Sequence, residues 1–301
     1  MSCAVLLTGA SGYIGQALIA ELNARSVPYV AAGRQLLSSE PHRYFDLANP
    51  QIDDSTFDGV SCVIHLAGLA HRAASIDSIK ALNYHGTLAL AEAAQRAGVK
   101  RFVFVSSIHA AFVDSGTPTE RAPYAVYKRK TEDALFKLAD STSMHVCVAR
   151  PALVYGGIMK GRLATLQKLA AKRLLPVLPD VGAMPMISLA DLARILVELS
   201  VSDHETPDVL TLTDGQRYSL RRISDAFTGA AGATSIVPFG SAGAKLILDL
   251  MTMLSSIPWF SNRLPFADGL DGAEISDSES PLGRLTPMDT LESVLLGEKA
   301  C

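Results

Sequence analysis

Tyr124 and Lys128 stand four residues apart in PYAVYK, at the start of a stretch with helical periodicity. That spacing puts both side chains on one helix face, directed into one cleft. A phenol with an unperturbed pKa of about 10 is a poor base at neutral pH, and an ammonium beside it favours the phenolate. Upstream, the β-like run FVFVSS ends in Ser106 and Ser107, and groups at the carboxyl end of an α/β strand face the ligand. Tyr124 could then exchange a proton with an alcohol or a carbonyl, with Lys128 supplying the ammonium and Ser107 holding the substrate oxygen. A Tyr-Lys pair at this spacing is common by chance, so the elements around it decide its meaning.

Residues 8–15 read TGASGYIG, behind the apolar run 3–7 and ahead of QALIAELNAR. Gly9, Gly12 and Gly15 suit a sharp strand-to-helix turn that seats a dinucleotide pyrophosphate on the helix's free amides and positive dipole end. On this reading Gly9 makes the turn, Gly12 admits the ligand to the backbone, and Gly15 lets the helix pack close on the sheet. Proton exchange at Tyr124 would accompany hydride transfer to or from a nicotinamide, whose cationic form also favours the phenolate. Arg34 follows the second β-like run, about 20 residues beyond the glycines, where an acid would hold the ribose hydroxyls of NAD and an arginine accommodates the extra phosphate of NADP. Gly33, Arg34 and Gln35 include no acid. The expected cofactor is therefore NADP, with NAD as the alternative.

Positioning these groups takes a sheet. Apolar runs at 5–7, 29–32, 60–66, 101–105 and 145–149 alternate with helical periodicity at 15–25, 76–97 and 124–140. Runs this apolar predict strands buried on both faces, hence an α/β fold with a Rossmann-type, doubly wound parallel sheet. Beyond Gly156 the pattern weakens, with Pro176, Pro179 and Pro185, a further β-like run at 209–213 and the acidic, turn-rich DGAEISDSESP at 271–281. The expected organisation is an NAD(P)-binding Rossmann domain over residues 1–155, with return segments within 185–215, and a smaller, mainly substrate-binding lobe over 156–301.

Composition narrows the class. The chain has 301 residues, 49% hydrophobic and 19% charged, enough for a large domain with a lobe. A net charge of −3 offers no basic surface for nucleic acid, and the clusters Lys128, Arg129, Lys130 and Lys172, Arg173 read as solvated helix faces. Cys3, Cys62, Cys147 and Cys301 are scattered without a CxxC pair for zinc, and no metal is expected. The N-terminus shows no signal-peptide pattern, which predicts a cytoplasmic protein. The apolar stretch 244–260 is interrupted by Lys245, Asp249 and Pro258, so it reads as a lobe helix, or as one lying against a membrane surface, rather than a span.

In sequence order, TGASGYIG, Asp46-Leu47, HLAG (65–68), NYHGT (83–87), FVFVSS, Tyr124-xxx-Lys128 and RPALVYG (150–156) resemble the extended short-chain dehydrogenase/reductase family of nucleotide-sugar epimerases, dehydratases and reductases. The resemblance covers roughly the first half of the chain. It implies that Tyr13 and Ile14 lie against the pyrophosphate, that Asp46 and Leu47 border the adenine, and that Leu66, Ala67 and Gly68 run along the cofactor. It places Asn83 beside the active-site helix, where it could equally brace a helix, and adds Tyr124, Lys128 and Pro151 to the cofactor contacts. His65 reads as a core or strand-end histidine rather than a catalyst. A homodimer through the helices at 76–97 and 124–140 is usual in the family.

The departures from the family pattern are informative. Dehydratases carry an Asp-Glu pair where this chain has Ile108 and His109, and isoleucine transfers no proton, which disfavours that activity. Epimerases commonly have an asparagine at Leu153 and a diphosphate-clamping arginine near Met184; both are absent, with Arg72, Lys160 or Arg162 as candidate replacements. HLAGLAHR, SSI and RPALVYGG with its following KG resemble bacterial surface-polysaccharide members acting at C4 of UDP-N-acetylhexosamines or their 4-keto forms. The leading expectation is a UDP-4-keto-hexosamine reductase, with a UDP-glucose or UDP-N-acetylglucosamine 4-epimerase as the alternative sharing every catalytic residue. A reductase of a non-nucleotide ketone or lipid-linked sugar, and a non-catalytic NADP sensor, are the remaining readings.

Overall fold

The computed structural model describes residues 4–34, 41–69, 75–115, 122–159, 161–178, 180, 182–202, 206–232 and 287–297. Cys3, Arg72, Lys160, Cys301, the apolar stretch 244–260 and the acidic stretch 271–281 lie outside the described residues, as does the side chain of Arg162. The strands are β1 (Ala4–Thr8), β2 (Tyr29–Gly33), β3 (His42–Tyr44), β4 (Val60–His65), β5 (Arg101–Val105), β6 (His145–Pro151), β7 (Leu153–Tyr155), β8 (Met184–Ser188), β9 (Val209–Leu212) and β10 (Arg217–Tyr218). Seven of them form one parallel sheet in the order β3-β2-β1-β4-β5-β6-β9. Chain order reverses at β1, so the crevice between the ends of β1 and β4 is the switch point where such sheets take ligands.

The apolar runs form this sheet because both faces are covered. Leu6, Val63, Phe102, Phe104, Val146 and Val148 point into one layer, against α3 (Thr87–Arg96) and α4 (Ala122–Asp140). Their neighbours Leu7, Ile64, Val103, Cys147 and Ala149 point into the other, against α1 (Tyr13–Ala24) and α6 (Leu189–Val201). Alternate residues of each strand thus serve opposite cores, which is why the sequence reads as continuously hydrophobic. Cys62 and Cys147 belong to these interiors, and burial pushes each thiol up to about 12. Both behave as small hydrophobes.

Three local features differ from the sequence expectation. The short edge strand β3 (HRY) lacks an apolar run and was not expected, because an edge strand with exposed side chains carries little hydrophobic signal. The helix expected over 76–97 is helical throughout but divides into α2 (Ile76–Ile79), a π-helical segment Lys80–Gly86, and α3. Gly86 at the end of that segment packs on the chain after β3, where a Cβ would lie 2.4 Å from the Leu47 carbonyl oxygen. Third, Lys128 does not share the solvated face expected for its cluster; it is 5% exposed, since its side chain turns into the layer beneath β5.

Beyond β6 a smaller assembly begins. β7, β8 and β10 make a three-stranded sheet, and with α5 (Gly161–Ala171), α7 (Leu220–Ala230) and α8 (Leu291–Leu296) they enclose a third core around Tyr155, Leu166, Met186, Tyr218, Phe227 and Leu291. Of the segment 185–215, α6 and β9 join the large sheet whereas β8 joins the small one. The chain before α8 is tied down by Asp191, whose Oδ2 accepts from the Met288 and Asp289 amides at 2.8 and 2.9 Å. Tyr155 and Tyr218 both donate to Asp214 Oδ2 at 2.7 Å, and the Leu291 amide donates to the Tyr218 hydroxyl. Burial raises the Asp214 carboxyl and both phenols, so the phenols act as donors throughout the ordinary pH range. Among the described residues no helix is long and apolar enough to cross a membrane.

The Gly86 contact yields a stability prediction. Gly86→Ala should lower the unfolding free energy by about 1–3 kcal/mol through overpacking against Leu47, measured by urea denaturation. An unchanged midpoint would show that the segment after β3 gives way freely.

Candidate active site

The glycine turn has the form its spacing requires. Gly9 adopts φ +75°, and a Cβ there would lie 2.8 Å from the Ala67 amide nitrogen. A Cβ at Gly15 would lie 2.3 Å from the Gly9 carbonyl oxygen and 2.7 Å from Ala10 Cα, so the close approach it permits is of α1 onto the turn itself. Gly12 is the N-cap of α1 and leaves it without a side-chain cap. The first amides and the positive dipole end are thus left without a side-chain cap, as an anion site needs. Ile14 packs its side chain on the α1/α6 core. Tyr13 sends its hydroxyl across to donate to the Gly156 carbonyl, linking the turn to the start of the smaller assembly, and burial lifts the phenol to about 12.

Across the crevice, the loop after β4 is held from below. Ala67 N–H donates to Thr8 Oγ1 at 3.3 Å. Asn83, 1% exposed, accepts from the Leu69 amide at 2.7 Å and donates to its carbonyl at 2.8 Å. Its amide is thus engaged with the loop that contains Leu66, Ala67 and Gly68, and a Cβ on Gly68 would meet its oxygen at 2.9 Å. Thr131 of α4 donates to the Asn83 carbonyl at 2.9 Å, joining this brace to the helix of Tyr124 and Lys128. Fully buried His65 places Nδ1 2.7 Å from Thr8 Oγ1 and Nε2 2.9 Å from Thr87 Oγ1, with its ring stacked on Phe104. Burial, then the Lys128 charge, pushes it down to about 3. It is a neutral brace between β1, β4 and α3.

Around the rim, Thr8 is paired with Ala32, which sets exposed Arg34 beside the glycine turn at the end of β2. Asp46 turns the chain after β3 by accepting from the Ala48 amide at 3.0 Å, while Leu47 is buried in the α3/α4 core. Pro151 closes β6 opposite Leu212. Leu153 is 43% exposed, whereas Met184 is buried in the core of the smaller assembly.

The chemistry-bearing trio assembles at the end of β5. Lys128 Nζ donates to the Val105 carbonyl at 2.8 Å, 4.4 Å from the Phe104 ring centroid and 6.0 Å from that of Tyr124. Burial lowers its pKa to about 8, against the upward pull of Glu132. Tyr124 is half-buried one turn before it. Ser107 follows β5, 9% exposed, with Oγ accepting from the His109 amide at 3.3 Å. Ile108 beside it is buried and brings no proton-transfer group. Two participants escaped the sequence reading. Glu132, 1% exposed, accepts from Ser106 Oγ and, through both carboxylate oxygens, from Arg150, whose Nε lies 3.1 Å away. The available signal was Glu132 itself, four residues after Lys128 on the same helix face.

Comparison with known proteins gives the family and the shared fold. A model of the NAD dependent epimerase/dehydratase family matches residues 5–184. The chain is 32% identical over 192 residues to a UDP-glucose 4-epimerase of Vibrio cholerae, covering 57% of this chain and 58% of that protein. It is 35% identical over 168 residues to an NAD-dependent glucose-6-phosphate dehydrogenase of Haloferax volcanii, covering 50% and 57%. The matched stretch thus spans less than two thirds of either relative's length. The structure of MoeE5 in complex with UDP-glucose and NAD superposes with a TM-score of 0.67 at 24% identity, over 79% of this chain and 85% of that one, which shows the shared fold.

The buried histidine makes acid stability testable. His65 is depressed in the folded state, so its contribution is present above the unfolded value of about 6.5 and is lost as pH falls toward its folded value. Between pH 6 and 5 the unfolding free energy should drop with a slope approaching about 1.4 kcal/mol per pH unit, and His65→Gln should flatten that slope. Equal slopes in urea titrations of both proteins would mean that His65 protonates freely in the fold.

Proposed function

The chain belongs to the NAD dependent epimerase/dehydratase family, and on that premise we propose that it is an enzyme that interconverts hydroxyl and keto groups at C4 of a nucleotide-activated sugar. The observation that carries the reading is the enclosed Lys128 ammonium one helical turn from Tyr124, at the carboxyl end of the sheet. A pure binding module has no use for it. The Cβ-free turn at Gly9, Gly12 and Gly15 fits a dinucleotide pyrophosphate, with Leu66, Ala67, Gly68 and Pro151 along the bound cofactor, Asp46 and Leu47 toward its adenine end, and Tyr124 and Lys128 at its reactive end. When bound, the nicotinamide accepts or supplies a hydride.

The protein's part is proton transfer and placement. Tyr124 takes the proton of the C4 hydroxyl as that carbon is oxidised and returns one as it is reduced. Lys128 keeps the phenolate accessible at neutral pH by its charge, and Ser107 donates to the C4 oxygen of the substrate. Ile108 transfers no proton at a position where removal of water needs an acid or a base, which favours redox exchange over dehydration. Leu153 offers the substrate an apolar surface. UDP-sugar 4-epimerisation is favoured by the Vibrio cholerae relative. Arg34 at the end of β2 favours the second reading, an NADPH-dependent reduction of a UDP-4-keto sugar, since a guanidinium suits the 2′-phosphate. Pairing of two copies through the helices at 76–97 and 124–140 belongs to the same reading.

Tyr124→Phe should lower kcat by about 10²–10⁴-fold while dinucleotide binding, followed by fluorescence titration, stays close to the parent. Full activity in that variant would remove Tyr124 from the chemistry. UDP-GlcNAc or UDP-glucose should be epimerised with no net NADPH consumption if the first reading holds. Stoichiometric NADPH oxidation on a 4-keto sugar, weakened selectively in Arg34→Ala, would transfer the assignment to the second.

A further inference from the structure

We propose that Glu132 is a positioning residue for this site: its buried carboxylate locks α4 to the ends of β5 and β6 and supplies the countercharge for Lys128. Three groups from three elements converge on it or beside it. Ser106 donates from the end of β5, Arg150 grips both oxygens from the end of β6, and Lys128 stands one turn away on α4 itself. The residues adjoining two of these contacts are the ones that must stay in register, since Ser107 follows Ser106 and Pro151 follows Arg150. A guanidinium held through both oxygens fixes an angle as well as a distance, which one hydrogen bond does not.

The electrostatic role follows from what surrounds Lys128. On its own helix it faces the Tyr124 ring and Glu132; on β4, His65, kept neutral by burial; on β5, the Phe104 ring and the Val105 carbonyl. From β6 the Arg150 cation is bound to that same carboxylate. Among these groups Glu132 is the anion, and its attraction opposes the burial that favours the neutral amine. Arg150 opposes the ammonium and is itself held by Glu132. The carboxylate therefore sets both the geometry and the charge of the group beside Tyr124.

The inference rests on the reading of Tyr124 and Lys128 as catalytic, so its test reads Lys128 directly. In protein labelled with ¹³C-lysine, with the Lys128 signal assigned by its loss in Lys128→Met, the titration midpoint should start at about 8. Glu132→Gln should move it to about 7 or lower, Glu132→Asp should keep it nearer the parent, and Arg150→Gln should move it upward by removing the competing cation. A general loosening of the fold would not shift the two charge-removing variants in opposite directions. The alkaline limb of kcat should follow, giving about a fivefold loss at pH 8 that approaches about tenfold above pH 9 in Glu132→Gln. An unmoved midpoint in folded Glu132→Gln, or shifts of the same sign in both variants, overturns the proposal. If Glu132→Gln does not fold, absence of an upward shift in Arg150→Gln overturns it. Opposite shifts in a protein that turns over no nucleotide sugar would refute the proposed activity and still support the countercharge role.

Discussion

An ammonium enclosed at the end of a parallel strand constrains everything built around it. Lys128 has left water for a place beneath β5, where the Val105 carbonyl, an aromatic face and a carboxylate one turn away replace its hydration. Burial of an unpaired charge is costly, and here β5 delivers the carbonyl and the aromatic face while α4 itself carries the carboxylate. The helix α4 can therefore neither slide nor rotate against β5 without stripping Lys128 of these partners, nor against β6 without breaking the Glu132–Arg150 pair. Tyr124 inherits its position from that constraint, as does the serine at the end of β5.

The opposite wall of the crevice is organised by backbone rather than by charge. The glycine turn owes its shape to missing Cβ atoms, and the loop after β4 owes its path to Asn83 and Thr8, which bond its main-chain groups. His65 supports both from below by bridging β1 to α3 through two threonines. Main-chain groups held this way stay in place while a ligand comes and goes, and they leave the crevice lined with amides and carbonyls suited to a dinucleotide. The Thr131 bond to Asn83 couples this wall to α4, so the two halves of the crevice share one helix as their reference.

The smaller assembly is joined to this frame by contacts distant in sequence. Tyr13 reaches Gly156, and Asp191 at the start of α6 holds the chain that enters α8. Leu153 lies exposed between the two parts, while Met184 sits in the core of the smaller one. A polar side chain at the position of Met184 would be buried in that core.

How much of this was legible before the structure depended on the range of the physics involved. The glycine turn, the strands buried on both faces, and the shared helix face of Tyr124 and Lys128 could be read from the chain, because each follows from backbone stereochemistry or residue periodicity over a few positions. His65 as a core histidine followed from its place in an apolar run. The edge strand β3, the π-helical segment and the burial of Lys128 were not legible, since neighbours in space and not in sequence decide them: Leu47 against Gly86, Phe104 and Val105 against Lys128. Glu132 and Arg150 look like two ordinary charged residues 18 positions apart, and only the docking of α4 on the ends of β5 and β6 buries them together. The sequence by itself determined where the chain must turn, what it must bury and which side chains share a helix face; the tertiary structure alone decided which buried polar groups became partners, because that choice is made when desolvation leaves each of them no water to bind.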